Sequence, residues 1–331
     1  MSAAPAGVRV RTPATSANLG PGFDAMGLAL DLHDEVEARV RDDGRVRVAV
    51  EGEGAGTVPE GPDHLVARAF RAAYEAAGER PPGVELRCRN AVPHGRGLGS
   101  SASAITAGVA AAAALMRRVG PGGDVDRDWV FGTAADIEGH PDNVAPCVYG
   151  GFTLSWGGRG AWRALRLEPD PRLRPVVCVP DAELSTEAAR GLLPAEVPHA
   201  DAAFTAGRAA LLTAAVSGHP ELLLEATEDR LHERYRAAAM PDSARLAADL
   251  RGRDGLPAVV SGAGPTVLVL AADGGTGARN APVAGDAGQI HRDAVDSIHA
   301  RTGTGWHIRP LAIDPAGVRI SSPRSLTSVE E

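Results

Sequence analysis

The sequence predicts two α+β domains divided near residues 165–175, taken as 1–168 and 169–331. Three observations predict this. The chain has 331 residues, about twice a typical domain, and its 44% hydrophobic content is ample for two cores. Strand-like and helical runs mix without the regular alternation of parallel crossover units. After the Gly-rich "GGRGAW", the apolar run "RPVVCVP" at 174–180 opens a second unit.

Taken in order, "VRVRT" at 8–12 alternates with period two, and "VEARV" and "VRVAV" flank "RDDGR", whose Asp43-Gly44 predicts a hairpin. "HLVARAFRAAYEAAG" at 64–78 reads as a helix closed by Gly78 with Pro81 beyond. "VELRCRN" reads as a strand. The run from Ser100 to about Arg118 is apolar on nearly every side and stops at Gly120-Pro121, so it is expected to be a helix buried between layers. In the second unit, helices are expected over 185–217, 220–239 and 243–251, then strand, turn and strand in "PAVVSGAGPTVLVLAA". The stretch 273–288 reads as a loop, 290–302 as a last helix, and "GWHIRPLAI" follows.

Composition excludes several function classes. The net charge is −8 and charges are interspersed, without the basic stripe that nucleic-acid binding needs. Cys88, Cys147 and Cys178 lie far apart, which argues against a disulfide framework or a structural zinc site and fits a reducing cytoplasm. The start "MSAAPAGVRVRT" has no apolar signal core and no run of about 18 apolar residues occurs, so neither export nor a membrane span is expected. All 34 basic residues are Arg. A Walker A loop, a kinase-type strand lysine and a pyridoxal Schiff base are therefore excluded.

Four segments carry candidate chemistry. In "PHGRGLGSSASAITAG", 93–108, glycines 95, 97 and 99 precede serines at a helix start, where unpaired N–H groups and the helix dipole suit an anion; a serine cap on a buried helix explains the pattern equally well. "PATSANLGPGFDAMGLAL", 13–30, crowds Thr15, Ser16, Asn18 and Asp24 around Gly20-Pro21-Gly22, which alone reads as a structural turn. "DIEGHPDNVAPCVYGG", 136–151, holds Glu138, His140, Asp142 and Asn143 within six residues, a poor match to zinc but compatible with Mg²⁺ on one carboxylate, or with a plain helix end and turn. "SGAGPT", 261–266, reads as a tight glycine hairpin between strands.

Together and in this order, the four segments resemble homoserine kinases of the GHMP family, named for galactose, homoserine, mevalonate and phosphomevalonate kinases. "PHGRGLGSSAS" is similar to that family's phosphate loop, "PATSANLGPGFDAMGLAL" and "EGHPDNVAP" to motifs of the homoserine branch, and "SGAGPT" to its third glycine-rich motif. The resemblance runs from about residue 8 to 320. It implies a ribosomal-protein-S5-domain-2-like N-terminal domain and a ferredoxin-like C-terminal domain, with ATP and substrate between them. It implies that Pro93, His94, Gly95, Arg96, Gly97, Leu98, Gly99, Ser100, Ser101, Ala102 and Ser103 wrap the ATP phosphates, and that Ser100 and Glu138 hold Mg²⁺. The ammonium of L-homoserine would meet Asp24 and its carboxylate Arg190 and Arg236, with Asn18, His140, Asn143 and Thr186 completing the pocket. The product would be O-phospho-L-homoserine, on the way to threonine.

At the place where some relatives carry a basic Asp this chain has Asn143, which cannot take a proton. No general base is assigned, and Asn143 and Arg190 are expected to position the substrate. His64 and Thr205 stand where relatives often carry Asn, in the region expected to hold adenine. The resemblance further implies a homodimer. The alternatives are a kinase of another small alcohol, such as mevalonate, and an inactive ligand-binding relative; Asp24 beside two arginines disfavours mevalonate, which has no ammonium.

Overall fold

The period-two start of the chain forms two long strands in the computed structural model, which describes residues 7–118, 120, 124–273 and 287–322, with side chains in the last segment from 292. The elements of the first unit are β1 (Gly7–Asn18), β2 (Gly22–Arg41), β3 (Val46–Gly52), α1 (Leu65–Ala76), β4 (Gly83–Asn90), α2 (Ser100–Leu115), α3 (Arg127–Glu138), α4 (Val144–Tyr149), β5 (Phe152–Trp156) and β6 (Arg163–Leu167). The second unit holds β7 (Leu173–Pro180), α5 (Thr186–Gly191), α6 (His199–Ser217), α7 (Leu223–Ala226), α8 (Glu233–Arg236), α9 (Pro241–Asp254), β8 (Ala258–Val260), β9 (Val267–Ala272), α10 (Ala287–Arg301), β10 (Trp306–Pro310) and β11 (Arg319–Ser321).

β1 and β2 pair along nearly their whole length, and β2 then shares its far edge between β5 near Gly27 and β4 from Glu35 onward. The expected hairpin between β2 and β3 does not form: β4 lies between them, antiparallel to β2 and parallel to β3. The link 42–45 crosses the end of β4 at Gly83, where a Cβ would lie 2.7 Å from the Gly44 Cα, and the Val84 N–H bonds the Arg45 carbonyl at 3.0 Å. A turn signal specifies that the chain reverses, but not which strand fills the gap.

The second sheet is antiparallel, in the order β10-β7-β9-β8. β7, β8 and β9 are largely apolar because both faces are covered, whereas β10 lies at the edge and carries His307 and Arg309. Val176 and Cys178 of β7 pack with Leu246 and Leu250 of α9 and Ile298 of α10, whereas Val177 and Val179 join Leu19, Leu28, Leu98, Leu212 and Leu223. That second cluster takes residues from both sheets, so one core sets the position of the two units. The last strand, β11, returns to pair with β1 in the first sheet, so sheet membership does not follow a single cut in the chain.

Two expected helices are broken. Residues 185–217 form α5 and α6, separated around Pro194 and Pro198. Residues 220–239 form only short turns, because the Asp229 carboxylate accepts the N–H groups of Leu231, His232 and Glu233 and Thr227 donates to the Leu223 carbonyl at 2.7 Å. Of the expected loop 273–288, residues 274–286 lie outside the described residues.

Asp314, fully buried, ties the returning segment to β2. It accepts hydrogen bonds from His33 Nε2 at 2.6 Å, Arg319 at 3.0 Å and the Ala316 and Gly317 N–H groups. Asp31, His33 and Asp314 bring three potential ligand atoms within 4.8 Å, but Arg11 and Arg319 already hydrogen-bond this group as cations. Burial opposes the charge of Asp314, yet its four donors hold the carboxyl below its usual pKa. Its stabilisation is therefore present above the unfolded carboxylate pKa and lost as pH falls through the lower folded value. Asp314→Ala, measured by urea unfolding at neutral pH, is expected to cost about 3–5 kcal/mol, because it strands buried donors. A loss under about 0.5 kcal/mol would show that the latch contributes nothing.

Candidate active site

Helix α2 begins without a side-chain cap. Its N-cap is Gly99, in the left-handed conformation at φ 68°, and Ser100 is already the first helical residue. The serine-cap explanation of the glycine stretch is thus excluded, and the helix start stays open to a ligand. Two of the three glycines before it are forced by a neighbour. A Cβ on Gly99 would lie 1.9 Å from Thr15 Oγ1, and one on Gly97 would lie 2.3 Å from the Ser261 carbonyl.

The four sequence segments meet here. Ser261 Oγ donates to the Gly97 carbonyl at 2.6 Å and lies 2.8 Å from Ser16 Oγ; the Gly262 N–H bonds the Ala17 carbonyl; Asn18 Nδ2 donates to the Gly262 carbonyl at 2.7 Å. Thr15 donates to Asn143 Oδ1 at 2.8 Å, joining the first segment to the third. A cavity of about 160 Å³ opens at this junction, lined by Gly95, Gly97, Gly99, Ser100, Ser101, Asn18, Glu138, His140, Asn143, Thr186, Arg190 and Arg236 among others.

On one side of the cavity stands Glu138, at the end of α3, where Gly139 terminates the helix in a left-handed conformation. Burial raises its pKa, while Ser101, which donates to Oε2 at 2.7 Å, lowers it. The hydroxyl in contact with Glu138 is that of Ser101, while Ser100, which the resemblance pairs with Glu138 at the metal, lines the same cavity. His140 lies 3.9 Å from Glu138 and 2.6 Å, through Nδ1, from Asp142. Burial pulls its pKa down, but Asp142 and Glu138 outweigh this and raise it.

On the other side, Asp24 receives both terminal nitrogens of Arg190, at 2.6 and 3.0 Å. The backbone of Asn18, Leu19 and Asp24 has positive φ, three of the four such non-glycine positions among the described residues, so this turn is strained where it meets the cavity. Arg236 is 1% exposed. It donates from Nη1 to His232 Nδ1 and to the Gly262 carbonyl, both at 3.2 Å, while its Nε finds no partner among the described residues. Burial and the neighbouring Arg190 charge lower its pKa. Both guanidinium carbons lie within 6 Å of the Phe23 ring centre, Arg190 at 5.8 Å and Arg236 at 5.4 Å. Two arginines and one carboxylate at a small cavity suit a zwitterion with its own carboxylate.

Residues 64–151 match the GHMP kinases N terminal domain. The chain is 51% identical to the homoserine kinase of Streptomyces coelicolor, over 95% of this chain and 94% of that one, and 54% identical to that of Streptomyces avermitilis, over 95% and 96%. The chain belongs to the homoserine kinases of the GHMP family. A crystal structure of homoserine kinase from Cytophaga hutchinsonii superposes with a TM-score of 0.79 at 25% identity, covering 97% of this chain and 99% of that one. The fold is the GHMP kinase fold, and the enzyme phosphorylates homoserine with ATP as donor, a step of threonine biosynthesis.

Within this homoserine kinase the cavity gathers most of the residues expected from sequence. Asp24 reaches it through Arg190. Pro93, His94, Arg96, Leu98, Ala102 and Ser103 belong to the loop and first helical turn without lining this cavity; Leu98 and Ala102 are fully buried beneath it. A second cavity of about 340 Å³ adjoins the first at Ser100 and Ser101 and is walled by Val36, Pro59, His64, Leu65, His94 and Ala104 among others. His64 also caps α1, accepting the Val66 N–H on Nδ1. Thr205 does not reach this wall: it is buried in α6 and accepts the Arg230 N–H. Phe23 and His232 escaped the sequence reading, since each acts through a neighbour; Asp142 was noted in its cluster but given no role. For Asp142 the signal was present, two residues from His140. No helix of the described residues is long and apolar enough to cross a membrane.

Proposed function

We propose that ATP lies with its base in the larger cavity and its phosphates along residues 93–103, directed at the open start of α2, and that homoserine lies in the smaller cavity with its hydroxyl towards Asn143. The uncapped Gly99 N-cap carries this reading, because it leaves backbone donors where the phosphates would arrive. With no lysine in the chain, the phosphate charge falls to backbone N–H groups, arginine and a metal.

A magnesium ion fits the donors present. Glu138 and the hydroxyls of Ser100 and Ser101 are hard oxygen ligands, few enough to leave room for phosphate oxygens and water, and the burial of Glu138 strengthens its need for a cation. Bound there, the ion would neutralise charge on the transferred phosphoryl group. We assign the metal to Glu138 with this serine pair, Ser101 being the one in contact.

Asn143 spends its carbonyl on Thr15, so its NH₂ group is left to orient the substrate hydroxyl. His140 is committed through Nδ1 to Asp142, and no general base is assigned to it. Positioning therefore carries the transfer, consistent with a loose transition state in which the hydroxyl proton leaves late. Asp24 and Arg190 neutralise each other until a zwitterion exchanges one ion pair for two: its ammonium takes Asp24 and its carboxylate takes Arg190 and Arg236. The same reading places the enzyme in the reducing cytoplasm, where its three unpaired cysteines stay thiols, and as the homodimer that sedimentation would test.

Arg190→Lys tests the carboxylate assignment. Lysine keeps the charge and loses the planar fork, so kcat/KM for homoserine is expected to fall by about ten- to a hundredfold while ATP binding without homoserine barely changes. An equal loss in both would indicate a nucleotide role or a disturbed fold, and no loss in either would remove Arg190 from the site.

A further inference from the structure

One buried carboxylate outside the smaller cavity grips the phosphate loop at both ends. Asp34, on β2, is 4% exposed. Its Oδ1 accepts the N–H groups of Ala91 at 2.8 Å and Val92 at 3.0 Å, the last two backbone donors before Pro93, which has none. Its Oδ2 accepts the hydroxyl of Ser103 at 2.8 Å, in the first turn of α2. Because the Ser103 proton is committed to Asp34, Thr12 of β1, 2.9 Å away, donates to Ser103 Oγ. The loop leaves the sheet at Ala91-Val92 and enters the helix by Ser103, and a single side chain spans the two points.

We propose that Asp34 is a positioning residue for ATP, holding the entry and exit of the phosphate loop at the separation at which its backbone N–H groups converge on the phosphates. The proposal rests on the reading of residues 93–103 as the phosphate site. Burial raises the pKa of Asp34, and its three hydrogen-bond donors act against that rise. Nothing in the sequence around "DLHDEV" marks this role, because its partners lie 57 to 69 positions away.

The test compares Asp34→Ala, Asp34→Asn and Ser103→Ala in the full chain. Asp34→Ala removes both links and is expected to raise KM for ATP about tenfold or more, with KM for homoserine within about twofold of the parent. Asn keeps an acceptor for the two N–H groups and turns its amide to Ser103 Oγ, so it should restore KM for ATP to within about threefold. Ser103→Ala cuts only the exit link, carries the test if Asp34→Ala fails to fold, and should raise KM for ATP about three- to tenfold.

Asp34 also borders the larger cavity, so inhibition by inorganic tripolyphosphate, which has no base, separates positioning from direct contact with the nucleobase. Its inhibition constant should rise in parallel with KM for ATP. Weakened ATP with unchanged tripolyphosphate inhibition, an unchanged KM for ATP in Ser103→Ala, or equal rises for ATP and homoserine would each overturn the proposal. Gly99→Val, run alongside, reports on the loop assignment itself: if that variant keeps its ATP affinity, the underlying reading has failed rather than the role of Asp34.

Discussion

Glu138→Gln is expected to lower kcat by about a hundredfold or more at saturating ATP and homoserine, the largest effect of any single substitution considered. The amide keeps the shape of the side chain and can still accept the Ser101 hydroxyl, so the fold has no reason to change. What disappears is the carboxylate in contact with Ser101. A metal held by a neutral amide stabilises the phosphoryl group less where charge builds up, and the loss falls on kcat rather than on substrate affinity. Steady-state rates across a Mg²⁺ titration, with the melting temperature as a control on folding, provide the check. Turnover near the parent rate at saturating Mg²⁺ would mean that Glu138 is not a ligand.

The second large effect is expected at Gly99. Valine there meets two obstacles: a backbone at φ 68°, which a β-branched residue strongly resists, and Thr15 Oγ1, 1.9 Å from the new Cβ. Thr15 holds Asn143, so one substitution displaces both the phosphate loop and the residue that orients the acceptor hydroxyl. ATP affinity should fall at least about tenfold and kcat with it, whereas Thr15→Ser, which keeps the hydroxyl, should retain most activity. Calorimetry of ATP binding reports the first quantity. A folded Gly99→Val protein with unchanged ATP affinity would reduce the stretch to a helix start with no ligand.

Much of the site was legible in the sequence because its chemistry is concentrated in short segments. The glycines at 95, 97 and 99, the cluster from Glu138 to Asn143 and the arginines at 190 and 236 all come to one cavity. Features that depend on long-range pairing were not legible. The insertion of β4 between β2 and β3 cannot be read from the Asp43-Gly44 turn, because local turn chemistry does not say which strand arrives later. The break between α7 and α8 follows from the Asp229 carboxylate, which accepts the N–H groups of Leu231, His232 and Glu233, and such bonds compete with a continuous helix only once the chain has already turned. The contact of Ser101 with Glu138 depends on the phase of α2 against α3, which the local sequence does not specify. Phe23, His232 and Asp34 act through other residues, and single positions of that kind carry no local motif.

The most direct measurement is ADP release by the purified enzyme with MgATP and, separately, homoserine, mevalonate and galactose as acceptors. The zwitterion site of Asp24, Arg190 and Arg236 predicts turnover with homoserine and rates at the acceptor-free background for the other two, since neither supplies the ammonium that Asp24 requires. ADP release with mevalonate or galactose comparable to that with homoserine, or release unaffected by any acceptor, would contradict this assignment.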